Sequence, residues 1–231
     1  MSGGAQWNLL GANVALVSSA PFDDRDRNKA RDDGWVATGH NGSLNDKTLT
    51  VHAVCGKGVK LSYRSKKVKV PTGSAPLGVA LNCKSRKQRP VGGGAILGST
   101  HPSVRLRGSI PHDIFDSVAD PDGEPDDGWR VAANNASGQT VKMRVFTICE
   151  AKGTYRYEFQ GVAFGATGAV SFEPGCDPGE VSLNGGGEIS LPGDPALYLQ
   201  ESYPIPNGIH VSARNDGSPG ADFVTYTICR T

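Results

Sequence analysis

No apolar stretch in this 231-residue chain approaches the roughly 20 residues that a helix needs to cross a bilayer; the apolar runs are short and broken by glycine. A charge excess is missing too, because 24 Lys+Arg nearly cancel 23 Asp+Glu, so net charge names no partner. Met1-Ser2-Gly3-Gly4-Ala5 has neither the basic start nor the apolar segment of a secretory leader. The chain is therefore made without one or starts inside a longer precursor. Motif chemistry is equally sparse: there is no Gly-x-Ser-x-Gly elbow, no P-loop, no His-Glu-x-x-His and no dinucleotide fingerprint. No Cys-x-x-Cys pair suggests a zinc or redox centre. The histidines (His40, His52, His101, His112, His210) fall at neither metal-ligand spacing nor matching positions. These absences point away from an enzyme, with a hydrolase assembled from distant segments as the third choice.

Glycine and proline are abundant instead, at 31 and 15 residues, which suits many short strands joined by tight turns. The chain also repeats itself. Gly34-Trp35, Asn41 and Cys55 recur as Gly128-Trp129, Asn135 and Cys149, and as Gly208-Ile209, Asn215 and Cys229. Six residues separate the aromatic or Ile position from the Asn, and fourteen more lead to the Cys, in all three copies. Upstream stand Ser19-Ala20-Pro21, Ser109-Ile110-Pro111 and Ser202-Tyr203-Pro204, and before them glycine clusters at Gly3, Gly92 and Gly185. A repeat of this period is one supersecondary unit that buries its apolar face against its neighbours. Alternation in Thr48-Leu49-Thr50-Val51-His52-Ala53-Val54 and Val141-Lys142-Met143-Arg144-Val145 reads as strand, and the Asn sites read as hairpin turns. The expected fold is all-β: a threefold internal repeat of short antiparallel strands, β-prism-like or a row of small sandwiches. It forms one repeat-built unit over 1–231, with copies at about 1–55, 92–149 and 185–229 and connectors 56–91 and 150–184. Trp35, Trp129 and Ile209 share one position, and an Ile there marks it as core.

The five cysteines suggest a disulfide framework and hence an extracellular, cell-surface or virion setting. Near-equal spacings of 28 and 27 residues favour Cys55–Cys83 and Cys149–Cys176, leaving Cys229 unpaired. Each loop would stabilise the fold by about 3–4 kcal/mol. The alternative, Cys83–Cys149 with Cys176–Cys229, leaves Cys55 unpaired. Either scheme implies that the chain was cut from a longer one or that the odd cysteine bridges subunits.

Local charge is less even than net charge. The stretch 57–89 holds Lys57, Lys60, Arg64, Lys66, Lys67, Lys69, Lys84, Arg86, Lys87 and Arg89 and no acid, ten of the chain's 24 basic residues. Such a face suits an anionic polymer, and the thin aromatic content, Tyr63 alone, disfavours nucleic acid. An acidic third copy (Glu188, Asp194, Glu201, Asp216, Asp222) offers a head-to-tail partner for self-association. The loop bearing Asp120, Asp122, Glu124, Asp126 and Asp127 alternates carboxylates around Gly123, the arrangement a calcium cage uses, without the full EF-hand pattern.

The series Cys83, Gly92-Gly93-Gly94-Ala95, Ser109, Pro111, Gly128-Trp129, Asn135 and Cys149 resembles a repeat of secreted bacterial, mostly actinobacterial, and phage-linked proteins of unassigned function. The resemblance implies no activity. The expectation is a non-enzymatic surface-exposed binding or adhesion module for a glycan or anionic surface polymer. A structural subunit of a fibre, phage tail or appendage is the alternative.

Overall fold

The computed structural model describes residues 2–23, 33–56, 58–113, 124–151, 153–165, 167–190, 194, 196–217 and 220–231, with backbone alone at 74–76 and 164. No helix occurs among the described residues, so none crosses a membrane. The first copy contributes β1 (Ser2–Trp7), β2 (Val14–Phe22), β3 (Gly34–Asn41) and β4 (Leu49–Val54). The first connector contributes β5 (Leu61–Val70) and β6 (Gly73–Asn82). The second copy follows as β7 (Arg89–Leu97), β8 (Val104–His112), β9 (Gly128–Asn135) and β10 (Val141–Glu150). The second connector forms β11 (Tyr155–Phe164) and β12 (Thr167–Phe172), and the third copy β13 (Val181–Ile189), β14 (Leu197–Ile205), β15 (Gly208–Asp216) and β16 (Ala221–Arg230).

These strands build three antiparallel sheets, ordered β12-β15-β14-β1-β4, β3-β2-β7-β10-β5 and β11-β16-β13-β8-β9-β6. Each sheet mixes strands of two copies, unlike a row of self-contained sandwiches. The second strand of every copy pairs with the first strand of the next, β2 with β7 and β8 with β13, and β14 closes the cycle on β1. One strand from each sheet (β2, β8 and β14) meets the other two at the centre. Around them a single apolar cluster gathers Ala5, Leu199 and Val211, Leu16 and Val145, Leu106, Val131 and Phe223 from the three sheets. This pattern is compatible with the threefold repeat and with a prism-like arrangement.

The repeated residues are explained at the three sheet junctions. The Ser of each Ser-x-Pro lies opposite a small residue of the next copy: Ser19 opposite Ala95, Ser109 opposite Gly187, Ser202 opposite Ala5. A side chain on Gly4, Gly94 or Gly186 would collide with the carbonyl oxygen of Ser202, Ser19 or Ser109 respectively, so only glycine lets the strands approach. The same serines anchor the tryptophans, whose indole N–H groups donate to Ser19 Oγ (2.8 Å, Trp35) and Ser109 Oγ (2.9 Å, Trp129). Trp35, Trp129 and Ile209 are all buried, and full burial of such a side chain contributes about 1.5–3 kcal/mol. A β-bulge recurs in each copy, at Leu16/Ser18, Leu106/Gly108 and Leu199/Glu201.

The connectors are strands rather than simple linkers, and they pair with the copy that follows them. β5 lies along β10 and β6 along β9; β11 lies along β16 and β12 along β15. This overturns the pairing Cys55–Cys83 and Cys149–Cys176 and the assignment of Cys229 as the unpaired thiol. The bridges are Cys83–Cys149 and Cys176–Cys229, and Cys55 is free and exposed. Loop length misleads because each connector Cys is delivered forward, to the last strand of the copy that follows it. Two disulfides fit an oxidising, extracytoplasmic setting.

Candidate functional site

The basic stretch divides into two groups. Lys66, Lys67 and Lys69 lie exposed on β5, which ends its sheet, with Lys60 exposed just before it. Lys84, Arg86 and Lys87 lie exposed in the turn between β6 and β7. Lys57 falls outside the described residues. Two of the expected binding residues are committed internally. Arg64 donates to the carbonyls of Asn82 and Cys83, and Arg89 Nε lies 2.6 Å from Asp126 Oδ2.

Register brings two further cations to the β5 group. Lys67 lies directly opposite Arg144 and Lys69 opposite Lys142, so two like-charged pairs face each other on adjacent strands. Such pairs are destabilising by themselves, at about 0.2–1 kcal/mol each. Among the described residues no carboxylate comes within 4.0 Å of any of the four. With Val68, Ile96, Gly98 and Met143 they line a groove of about 500 Å³. Lys142 and Arg144 were missed in the sequence although the alternation Val141-Lys142-Met143-Arg144-Val145 put both on one strand face; nothing local placed that face beside β5.

The acidic loop reads differently in three dimensions. Asp120 and Asp122 fall outside the described residues. Asp126, expected as a calcium ligand, is buried against Arg89, and its N–H donates to Glu124 O (2.8 Å). Asp127 is buried as well and accepts the Cys83 N–H on its carbonyl (2.8 Å). A guanidinium thus neutralises one of the five carboxylates. The one cluster of metal-ligating residue types among the described residues, Cys176, Glu180 and Cys229, has both its cysteines in a disulfide.

A second polar cluster, not anticipated from the sequence, sits where β14 meets β1. Tyr203 stacks between His52 and His210, with ring centroids 5.4 and 4.9 Å away. His210 Nδ1 lies 2.9 Å from Glu173 Oε1, and Nε2 lies 3.5 Å from Glu201 Oε2. Glu201 is buried and also accepts the Trp7 N–H at 2.6 Å. The Glu201 carboxylate, and then Glu173, raise the His210 pKa against the opposing effect of burial. The protonated ring is therefore the form the fold favours. Its stabilisation is complete below the ordinary value of 6.5 and is lost as pH rises through the elevated folded value. Denaturant midpoints measured on either side of that window should fall with rising pH, and His210→Gln should flatten the fall. An unchanged slope in that variant would remove His210 from the account.

Compared with known protein families and with curated proteins, the chain matches none.

Proposed function

We propose that this is a non-enzymatic, surface-exposed binding module whose groove between β5 and β10 takes an anionic surface polymer, such as an acidic or phosphate-bearing glycan, at a cell surface or virion exterior. The observation that carries this reading is the register that sets Lys67 against Arg144 and Lys69 against Lys142 with no acid nearby. A fold that tolerates two facing like-charged pairs gains when an anionic ligand lies between them.

Binding to a soluble polyanionic polysaccharide should weaken steeply with salt, as screening of exposed charges requires. Lys67→Ala/Arg144→Ala is expected to weaken it about tenfold while raising stability by about 0.2–1 kcal/mol, because a repulsive pair is removed. Unaltered affinity in that variant would end the proposal. A second reading, a structural subunit of a fibre, tail or appendage, is favoured by the exposed Cys55 beside β3 and β4, which end their sheets among the described residues.

A further inference from the structure

We propose that the edge formed by β3 and β4 is a docking site for a partner polypeptide carrying one more connector: two extended strands joined by a short turn and followed by a cysteine that bridges to Cys55. The template is the molecule's own construction. The third and last strands of copy two are covered by β6 and β5, and those of copy three by β12 and β11. The corresponding β3 and β4 end their sheets with no further strand among the described residues. One strand added to each would bring all three sheets to the six strands that the third sheet already has.

Burial at matching positions shows what the edge lacks. Val145, Ile148 and Cys149 are fully buried, as are Ile228 and Cys229. Val51, which stands where Val145 does, is 41% exposed, and Cys55 is exposed. The turn asparagines repeat the contrast. Asn135 Nδ2 donates to Val70 O of the first connector (2.9 Å), and Asn215 Nδ2 to Gly165 O of the second (2.8 Å). Asn41 Nδ2 reaches only Asn45 O of its own turn, among the described residues. Beside Cys55 opens a largely apolar pocket of about 470 Å³, bordered by Ser2, Val54, Val59, Val91 and Leu183, with room for the incoming cysteine and the residues after it.

Stoichiometry shows that the two connectors within residues 1–231 are not a spare occupant. Among the described residues the chain presents three such edges and two connector strand pairs. Any exchange of these two connectors between copies therefore leaves one of the three edges unfilled. The occupant must bring its own strand pair, adding backbone hydrogen bonds to an open sheet edge. Its chemistry is that of 61–83: two strands of alternating pattern linked through two residues (Pro71 and Thr72), then a cysteine.

The covalent step is thiol–disulfide exchange. The Cys55 thiolate attacks the partner cysteine held as a mixed disulfide with a small thiol. One S–S bond breaks, one forms, and the small thiol leaves, so no outside oxidant is required.

The test uses the whole chain and a synthetic peptide spanning its own residues 56–88, with Cys83 as the mixed disulfide of thionitrobenzoate. Connector one is chosen because copy one, like copy two, keeps the Gly-Trp pair. One equivalent of dye should be released about a hundredfold faster than with a scrambled peptide, since docking replaces about 10 μM peptide by roughly millimolar effective concentration. Backbone amides of β3 and β4 should gain exchange protection in the adduct, and in Cys55→Ser the same protection should appear without dye release. Equal rates for the native and scrambled peptides, or an adduct with β3 and β4 unprotected, would overturn the proposal. Neither result depends on the polyanion groove.

Discussion

Gly186→Ala is expected to destabilise the protein by about 3 kcal/mol or more, at the upper end of what an added methyl costs in a packed core. The new Cβ would fall on the carbonyl oxygen of Ser109, which is backbone and cannot rotate away. Relief requires β13 and β8 to separate, and that pairing joins copy two to copy three. Gly4→Ala and Gly94→Ala should behave alike, because each meets the corresponding serine carbonyl at another junction. Gly11→Ala is the control: no atom lies within 4 Å of its Cβ position, so its effect should stay within about 0.5 kcal/mol. Guanidinium midpoints at unchanged slope give the comparison directly. A Gly186→Ala variant as stable as Gly11→Ala would mean that the junctions are not the close contacts described.

Removing the Cys83–Cys149 bridge as Cys83→Ala/Cys149→Ala should cost about 4 kcal/mol, because the bridge closes a loop of 66 residues in the unfolded chain. Removing Cys176–Cys229, which spans 53, should cost nearly as much. Cys55→Ser should change stability by no more than about 0.5 kcal/mol, since the residue is exposed and unbridged. Thiol titration of the unfolded, unreduced protein should count one free cysteine, and peptide mapping should place it at Cys55. A linkage through Cys55 within the monomer would refute the pairing.

Those bridges also mark the boundary between what could and could not be read in the sequence. Spacing alone locates the repeat, the strands around Val51 and Val145 and the buried position shared by Trp35, Trp129 and Ile209. All of these depend on contacts within a copy or on a local alternation of period two. The Asn turns are not the hairpins expected, because β3 and β4, β9 and β10, and β15 and β16 lie in different sheets. The connectors were legible as basic or mixed stretches, but not as strands belonging to the following copy. That assignment rests on pairings such as Ser65 with Phe146, which lie far apart in the chain. Choosing the shorter loops for the disulfides followed from the same gap. The candidate groove was half visible for a similar reason: Lys67 and Lys69 stand in an obvious basic run, whereas Lys142 and Arg144 join them only through register. The sequence places Arg89 in a basic run and Asp126 in an acidic loop, and the fold makes them each other's partner. The His210 cluster carried no sequence signal, since Glu173, Glu201 and His210 come from separate strands and a loop.

The closure of β14 onto β1 also determines when the molecule can mature. β1 finds that neighbour, at Ser202, only once synthesis has passed β14. A nascent chain emerging from the ribosome must carry β1 with one flank unsatisfied until β14 is made, whereas β2 has both flanking strands once β7 follows β3. Pairings this distant are slow to form and exposed to misassembly while they wait. A chain stopped after copy two would lack β13 and β14 together, and so lose two of its three junctions at once.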